Sequence, residues 1–231
     1  MKIFLNGGGC GQQTAPALKR FSDIIDRTKP LLYIPLAMER AQYPGCFSWI
    51  QDELREVKVP SIEMVTSADE IVQKELDAYC AVFVGGGNTF KLLYELKESG
   101  AFDKIKRFTE RDGIVFGGSA GAIIFGHSLE SCALADRNDV GLEDIAGYDI
   151  LNGISLLCHY TNQTEERQKE STAYLTELSK RMPIIALPEE DTLFVNGEIV
   201  ETIGTKQFYH FEGGIGIERE PGYTYPINQK L

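Results

Sequence analysis

Seven short apolar runs, divided by amphipathic stretches of helical spacing, constrain the fold of this chain more than any other feature. The runs are Lys2–Asn6, Pro30–Ala37, Ser61–Thr66, Cys80–Val84, Ile114–Phe116, Ile154–Tyr160 and Pro183–Leu187, each read as a strand. Between them Trp49, Ile50, Leu54 and Val57 keep a 3-to-4 spacing, as do Phe90, Leu93 and Leu96, and then Phe102, Ile105 and Phe108. Asn162-x-x-Glu165 reads as a helix start, and that pattern runs on to Met182, where Pro183 stops it. Such alternation predicts an α/β fold, a mostly parallel sheet with helices on both faces. The last forty or so residues break the rhythm: Thr192–Ile203 alternates around Asn196-Gly197, a hairpin signal. An antiparallel C-terminal extension is therefore expected on one edge. No linker or shift in composition divides the chain, so residues 1–231 are expected to form a single domain.

Charge and cysteine usage narrow the function. A net charge of −11 argues against a nucleic-acid surface or a polybasic membrane anchor. No apolar run reaches the length of a membrane span, and MKIFLNGGGCG lacks the apolar core of a signal peptide. Cys10, Cys46, Cys80, Cys132 and Cys158 are widely spaced and never form CxxC. They read as reduced thiols of a cytoplasmic protein, without a zinc site. No cofactor and no metal are expected. The oligomeric state is not fixed, and a homo-oligomer stays compatible with the sequence.

One stretch carries a candidate chemistry. Ile114-Val-Phe leads into Gly117-Gly118-Ser119-Ala120-Gly121, followed by a helix-like Ile-Ile-Phe run. The pentapeptide fits G-x-S-x-G, a sharp strand-to-helix turn whose neighbours must be nearly without bulk. Ser119 is then exposed at a helix N-terminus, where developing negative charge is favoured. The competing reading is a tight turn with an incidental capping serine. One unit earlier, Cys80–Val84 runs into Gly85-Gly86-Gly87, then Asn88-Thr89-Phe90. The N–H of Gly87, with Gly86 beside it, could complete an oxyanion hole with the N–H of Ala120. A phosphate loop fits less well, since neither GxGxxG nor GK[ST] is present. The run Gly7-Gly8-Gly9-Cys10-Gly11 implies close backbone approach at the same sheet edge, with no role assigned.

A nucleophilic serine needs a base, and the chain has three histidines, His127, His159 and His210. His127 is placed on the helix departing from Ser119, and His210 on a remote C-terminal strand. His159 ends a strand at the edge that carries Ser119, which makes it the best base on geometry. For the group orienting the histidine, Glu189 also ends a strand; Asp139 is its rival, and Asp136 ranks below both.

The set GGGNTF (85–90), GGSAGA (117–122), HYTN (159–162) and LPEE (187–190) resembles the S51 serine peptidases, which include aspartyl dipeptidases (dipeptidase E) and cyanophycinases. The resemblance covers about residues 30 to 204. It implies a fold similar to class I glutamine amidotransferases, a three-layer α/β sandwich with serine at the elbow, and a small peptide as substrate. It implies Ser119 as nucleophile, His159 as base, and Gly87 and Ala120 as oxyanion donors. The family has been described with a glutamate at LPE and with an aspartate after the elbow, so Glu189 and Asp139 are both carried. Aspartyl dipeptidases use an arginine, after a longer insert, to hold the substrate's aspartate; the matching residue here is Arg167 in the short HYTNQTEERQ. The family's LPEG stands here as LPEE.

Two other readings stay in play. An α/β-hydrolase-type esterase would use Ser119, Asp191 and His210, although the HGGG motif is absent. A non-catalytic small-molecule-binding domain would use the glycine loops as an anion nest. The histidine that faces Ser119 separates the first from the peptidase.

Overall fold

Side chains alternating along the central strands create two buried faces, and each face determines a layer. The computed structural model describes residues 1–227. Strands β1 (Lys2–Asn6), β2 (Leu31–Ile34), β3 (Ile62–Met64), β4 (Ala81–Val84) and β5 (Ile114–Gly118) run parallel in the order β3-β2-β4-β5-β1. Phe4, Leu31, Tyr33, Phe83 and Phe116 point to one face, onto helices α1 (Ala15–Ile24) and α2 (Tyr43–Glu53) through Leu18, Phe21, Ile50 and Leu54. Ile3, Leu5, Leu32, Val82 and Val115 point the other way. They pack on α3 (Ala68–Gln73), α4 (Thr89–Ser99), α5 (Ala101–Glu110) and the short α6 (Ala120–Ile123). The result is a three-layer sandwich.

An aromatic ladder crosses the first face. Phe4 stacks on Phe194 at 4.3 Å and on Phe116 at 5.5 Å, and Phe116 stacks on Phe83 at 4.8 Å. Each such pair contributes about 0.5–1.5 kcal/mol beyond its buried area.

The expected antiparallel extension is present. Strands β8 (Thr192–Asn196), β9 (Ile199–Ile203) and β12 (Thr224–Pro226) extend the sheet beyond β1 to eight strands. Gly197, at φ +63°, makes the hairpin turn.

The expectation of one continuous series of strands needs correcting. Strands β6 (Ser155–Leu157) and β7 (Ile184–Ala186), joined across α7 (Glu165–Leu178), form a second sheet with β10 (Phe208–Glu212) and β11 (Ile215–Arg219), in the order β11-β10-β7-β6. An apolar run reports burial but not which strand it pairs with. The two sheets meet where Gly7 N donates to Asp191 O at 2.9 Å and His159 N donates to Gly7 O at 2.9 Å.

Two helix expectations also shift. Helix α7 starts at Glu165 with Thr164 as its cap, accepting from Arg167 N, and it ends at Leu178, before Met182. Helix α6 is one turn long, so His127 lies beyond it and not on it. Among the described residues no helix is long and apolar enough to cross a membrane. Of the domain expected over residues 1–231, residues 228–231 lie outside the described residues.

Candidate active site

Strand β5 ends at Gly118 and helix α6 begins at Ala120, leaving Ser119 alone in the turn at φ 52° and ψ −115°. A non-glycine residue held there carries strain of about 1–3 kcal/mol, so the surroundings must over-determine it. They do so from both sides. Ser119 N donates to Asn6 O at 3.1 Å, and Ser119 O accepts from Ala122 N at 2.8 Å and Ile123 N at 3.0 Å. A Cβ on Gly117 would collide with the Gly121 carbonyl, and one on Gly121 with the Val84 carbonyl. Those glycines are required by backbone packed on backbone.

His159 follows β6 and, like Ser119, has a positive φ, 59°. Its Nε2 lies 2.9 Å from Ser119 Oγ, and its Nδ1 lies 2.8 Å from Glu189 Oε1. The carboxylate is itself fixed: Gln13 Nε2 donates to Glu189 Oε2 at 2.9 Å, and Glu189 N donates to Asn162 Oδ1 at 3.0 Å. The imidazole rests against Gly8, at φ +104°, where any Cβ would overlap the ring. Gly8 N in turn donates to Asn6 Oδ1 at 2.9 Å. Sequence reasoning noticed the glycine run and gave it no role; here it makes room for the histidine. Gln13, Asn6 and Asn162 were missed, since lone amides carry no motif.

The other candidates lie elsewhere. Asp139 does not reach His159: it is exposed, with Oδ1 3.5 Å from Arg137 Nε. Asp136 accepts from Thr89 N at 2.8 Å and Thr89 Oγ1 at 2.5 Å, anchoring the start of α4. His127 pairs with Asp149 Oδ2 at 3.3 Å. His210 is buried on β10 with neither ring nitrogen hydrogen-bonded, and burial holds its pKa below the usual histidine range. Asp191 accepts from Thr205 N at 3.0 Å and Lys206 N at 3.1 Å. The esterase arrangement of Ser119, Asp191 and His210 is therefore not assembled.

Gly86 backs directly onto the serine: a Cβ there would stand 3.0 Å from Ser119 Cβ and 3.5 Å from Oγ. Gly87, at φ +135°, leaves no space for a side chain against the Ala37 carbonyl. Asn88 then caps α4, accepting from Lys91 N at 2.9 Å. Among the described residues, the N–H groups of Gly86, Gly87 and Ala120 have no backbone acceptor.

Ser119, His159, Gly86 and Gly87 line a cavity of about 540 Å³, whose wall also includes Leu18, Tyr33, Met38, Trp49, Phe83 and Phe116. Arg167, expected to hold substrate, does not line it. Its guanidinium donates to the Leu134 carbonyl and lies 3.7 Å from Glu170 Oε2. From the first turn of α7 it is held between the Leu134 carbonyl and Glu170 of the same helix. Among the described residues, no group of three or more His, Cys, Asp or Glu side chains is arranged to hold a metal ion. A hydroxyl, an imidazole and a carboxylate in hydrogen-bonded series suit acyl transfer.

Comparison with known proteins agrees with this chemistry. The model of a family described as peptidase family S51 matches residues 3–203. Peptidase E of Shewanella denitrificans is 26% identical over 204 residues, 85% of this chain and 84% of that protein. Peptidase E of Escherichia coli K12 is 32% identical over 140 residues, 58% of this chain and 59% of that protein. The crystal structure of a peptidase from an acI-B1 Actinobacterium superposes with a TM-score of 0.76 at 15% identity, covering 97% of this chain and 96% of that one. At that identity the likeness is one of fold.

Proposed function

The chain belongs to peptidase family S51, a family of serine-type peptidases, and on that premise we propose that it hydrolyses short peptides through an acyl-enzyme on Ser119. The observation that carries this reading is the series Ser119 Oγ, His159 Nε2 at 2.9 Å, His159 Nδ1 and Glu189 Oε1 at 2.8 Å.

Glu189 accepts from Nδ1–H and so leaves Nε2 free to accept. As Ser119 Oγ attacks the scissile carbonyl carbon, its proton passes to His159 Nε2. The tetrahedral oxyanion accepts from the N–H groups of Ala120 and Gly87, with Gly86 alongside. Collapse breaks the C–N bond, and the amine leaves with the proton held on Nε2. Water then gives a proton to Nε2 as its oxygen attacks the acyl carbon. Ser119 Oγ departs with that proton, and the acid product is released. No step calls for a cofactor.

Dipeptides are the expected substrates, in keeping with the peptidase E relatives. We infer further that residues 1–231 act as one domain and that the protein works in the cytoplasm. Five cysteines free of disulfides and a net charge of −11 support a cytoplasmic role without nucleic acid. A homo-oligomer is compatible with this reading.

The test is Ser119→Ala assayed on a dipeptide library, together with fluorophosphonate labelling. Hydrolysis should fall by at least about 10³-fold, roughly 4 kcal/mol of barrier, and labelling should vanish. Activity that survives the substitution would put the nucleophile elsewhere.

A further inference from the structure

The cavity at Ser119 has a chemical character that the family resemblance does not supply. Within the main sheet β5 stands between β1 and β4, and His159 is bonded to Gly7 just past the end of β1. Tyr33 of β2 and Phe83 of β4 lie on the opposite side of Ser119, and Trp49 of α2 packs on them. The Phe83 ring is 6.0 Å from Tyr33, 6.1 Å from Trp49 and 4.8 Å from Phe116, so four aromatic rings form one continuous wall. On the acyl-enzyme reading the leaving amine takes its proton from His159 and so departs on the β1 side. The acyl half of the substrate is thereby directed toward the rings.

Charge points the same way. Among the described residues no lysine or arginine lines the cavity, and the one carboxylate that does is Glu53, held by Gly11 N at 2.8 Å and by Thr14 Oγ1. An aspartate side chain entering here would lose water beside a like charge and find no cation. A large apolar side chain would meet aromatic surface in a space of about 540 Å³, ample for a small ligand. Resting on the acyl-enzyme reading above, we propose that this cavity receives the side chain on the acyl side of the scissile bond. It selects large apolar or aromatic residues over acidic ones.

Gly45 supplies a variant that narrows the pocket without touching Ser119, His159 or the backbone donors. It lies in α2 at the cavity's rim, and a Cβ built there meets no atom within 4 Å. Leucine at that helical position is favoured over glycine, so Gly45→Leu should fold and narrow the cavity. The experiment compares kcat/KM for Phe-Ala, Leu-Ala, Ala-Ala, Lys-Ala and Asp-Ala in the wild type and Gly45→Leu, with fluorophosphonate labelling of Ser119 in both. Phe-Ala and Leu-Ala should exceed Ala-Ala by about tenfold or more, with Asp-Ala the poorest. Gly45→Leu should lower Phe-Ala by about tenfold and leave Ala-Ala within about twofold. If Ser119 is labelled and Asp-Ala or Lys-Ala outranks Phe-Ala, or if no dipeptide of the set is cleaved, this inference is overturned and the acyl-enzyme reading stands. Equal losses on Phe-Ala and Ala-Ala in Gly45→Leu, or no loss on either, would also remove the pocket from this cavity. Absence of both labelling and cleavage would overturn the acyl-enzyme reading itself, and this inference with it.

Discussion

Ser119 and His159 share a left-handed backbone that is rare for residues with a side chain, and a direct hydrogen bond joins them. Two strained residues meeting at one point mark where the fold gives up stability for position. At Ser119 the strain is measurable apart from the chemistry. Ser119→Gly and Ser119→Ala should both be inactive, but the glycine variant should be more stable by about 1 kcal/mol in urea unfolding, because glycine accepts a positive φ freely. Equal stabilities would mean that the turn is relaxed. The carboxylate can be tested as cleanly. Glu189→Gln should cut kcat by about 10²-fold or more, since the amide can present its N–H to Nδ1 and favour the wrong tautomer. Asp139→Asn, on an exposed side chain paired with Arg137, should leave kcat within about twofold.

Among the elements, the loops that leave β1 and β4 bring glycine backbone against His159 and Ser119, and their glycines do so for different reasons. Gly86 lets one loop approach the serine, and Gly8 lets another approach the histidine. Gly8→Ala should therefore displace the imidazole and lower kcat by about 10²-fold, consistent with a misplacement of about 1 Å. A wild-type circular dichroism spectrum would show that the fold survives, whereas full activity would show that the ring yields at no cost. The elbow, the hairpin and the parallel strands were legible in the sequence because glycine turns and two-residue alternation are local signals. The second sheet was not legible. The runs containing β6 and β7 have the same apolar character as the main strands, and their pairing depends on contacts distant in the chain. The sequence places His159 at the end of a strand on the edge that carries Ser119. It lies two residues past the end of β6, a strand of the other sheet, and the Gly7 carbonyl brings it across. Glu189 and Asp139 could not be separated by sequence, since only the folded loop shows one against Nδ1 and the other facing water. Arg167 misled because spacing from a motif says nothing of where a long side chain turns.

At the scale of the whole molecule, two buried groups outside the catalytic series, Asp191 and His210, tie stability to pH. Burial raises Asp191 to about 6 and lowers His210. For Asp191 the native state holds its proton more tightly than the unfolded chain, so stability falls as pH rises from about 4 to 6. For His210 the native state resists the proton, so stability falls as pH drops below about 6.5. Urea unfolding between pH 4 and 8 should show these slopes opposing one another. His210→Leu should be more stable at pH 5 relative to pH 7.5 than the wild type, and Asp191→Asn should be relatively less stable there. Parallel profiles for all three proteins would remove both groups from the account.

The division of the site between two sheets bears on how the protein is made. The serine belongs to the main sheet, while His159 and Glu189 leave the strands of the other. A ribosome releases the elbow some forty residues before the histidine and some seventy before the glutamate. Throughout that interval Ser119 lacks the imidazole that the proposed mechanism assigns to it as base. The nascent chain is born without teeth, and it acquires them only when its C-terminal third docks.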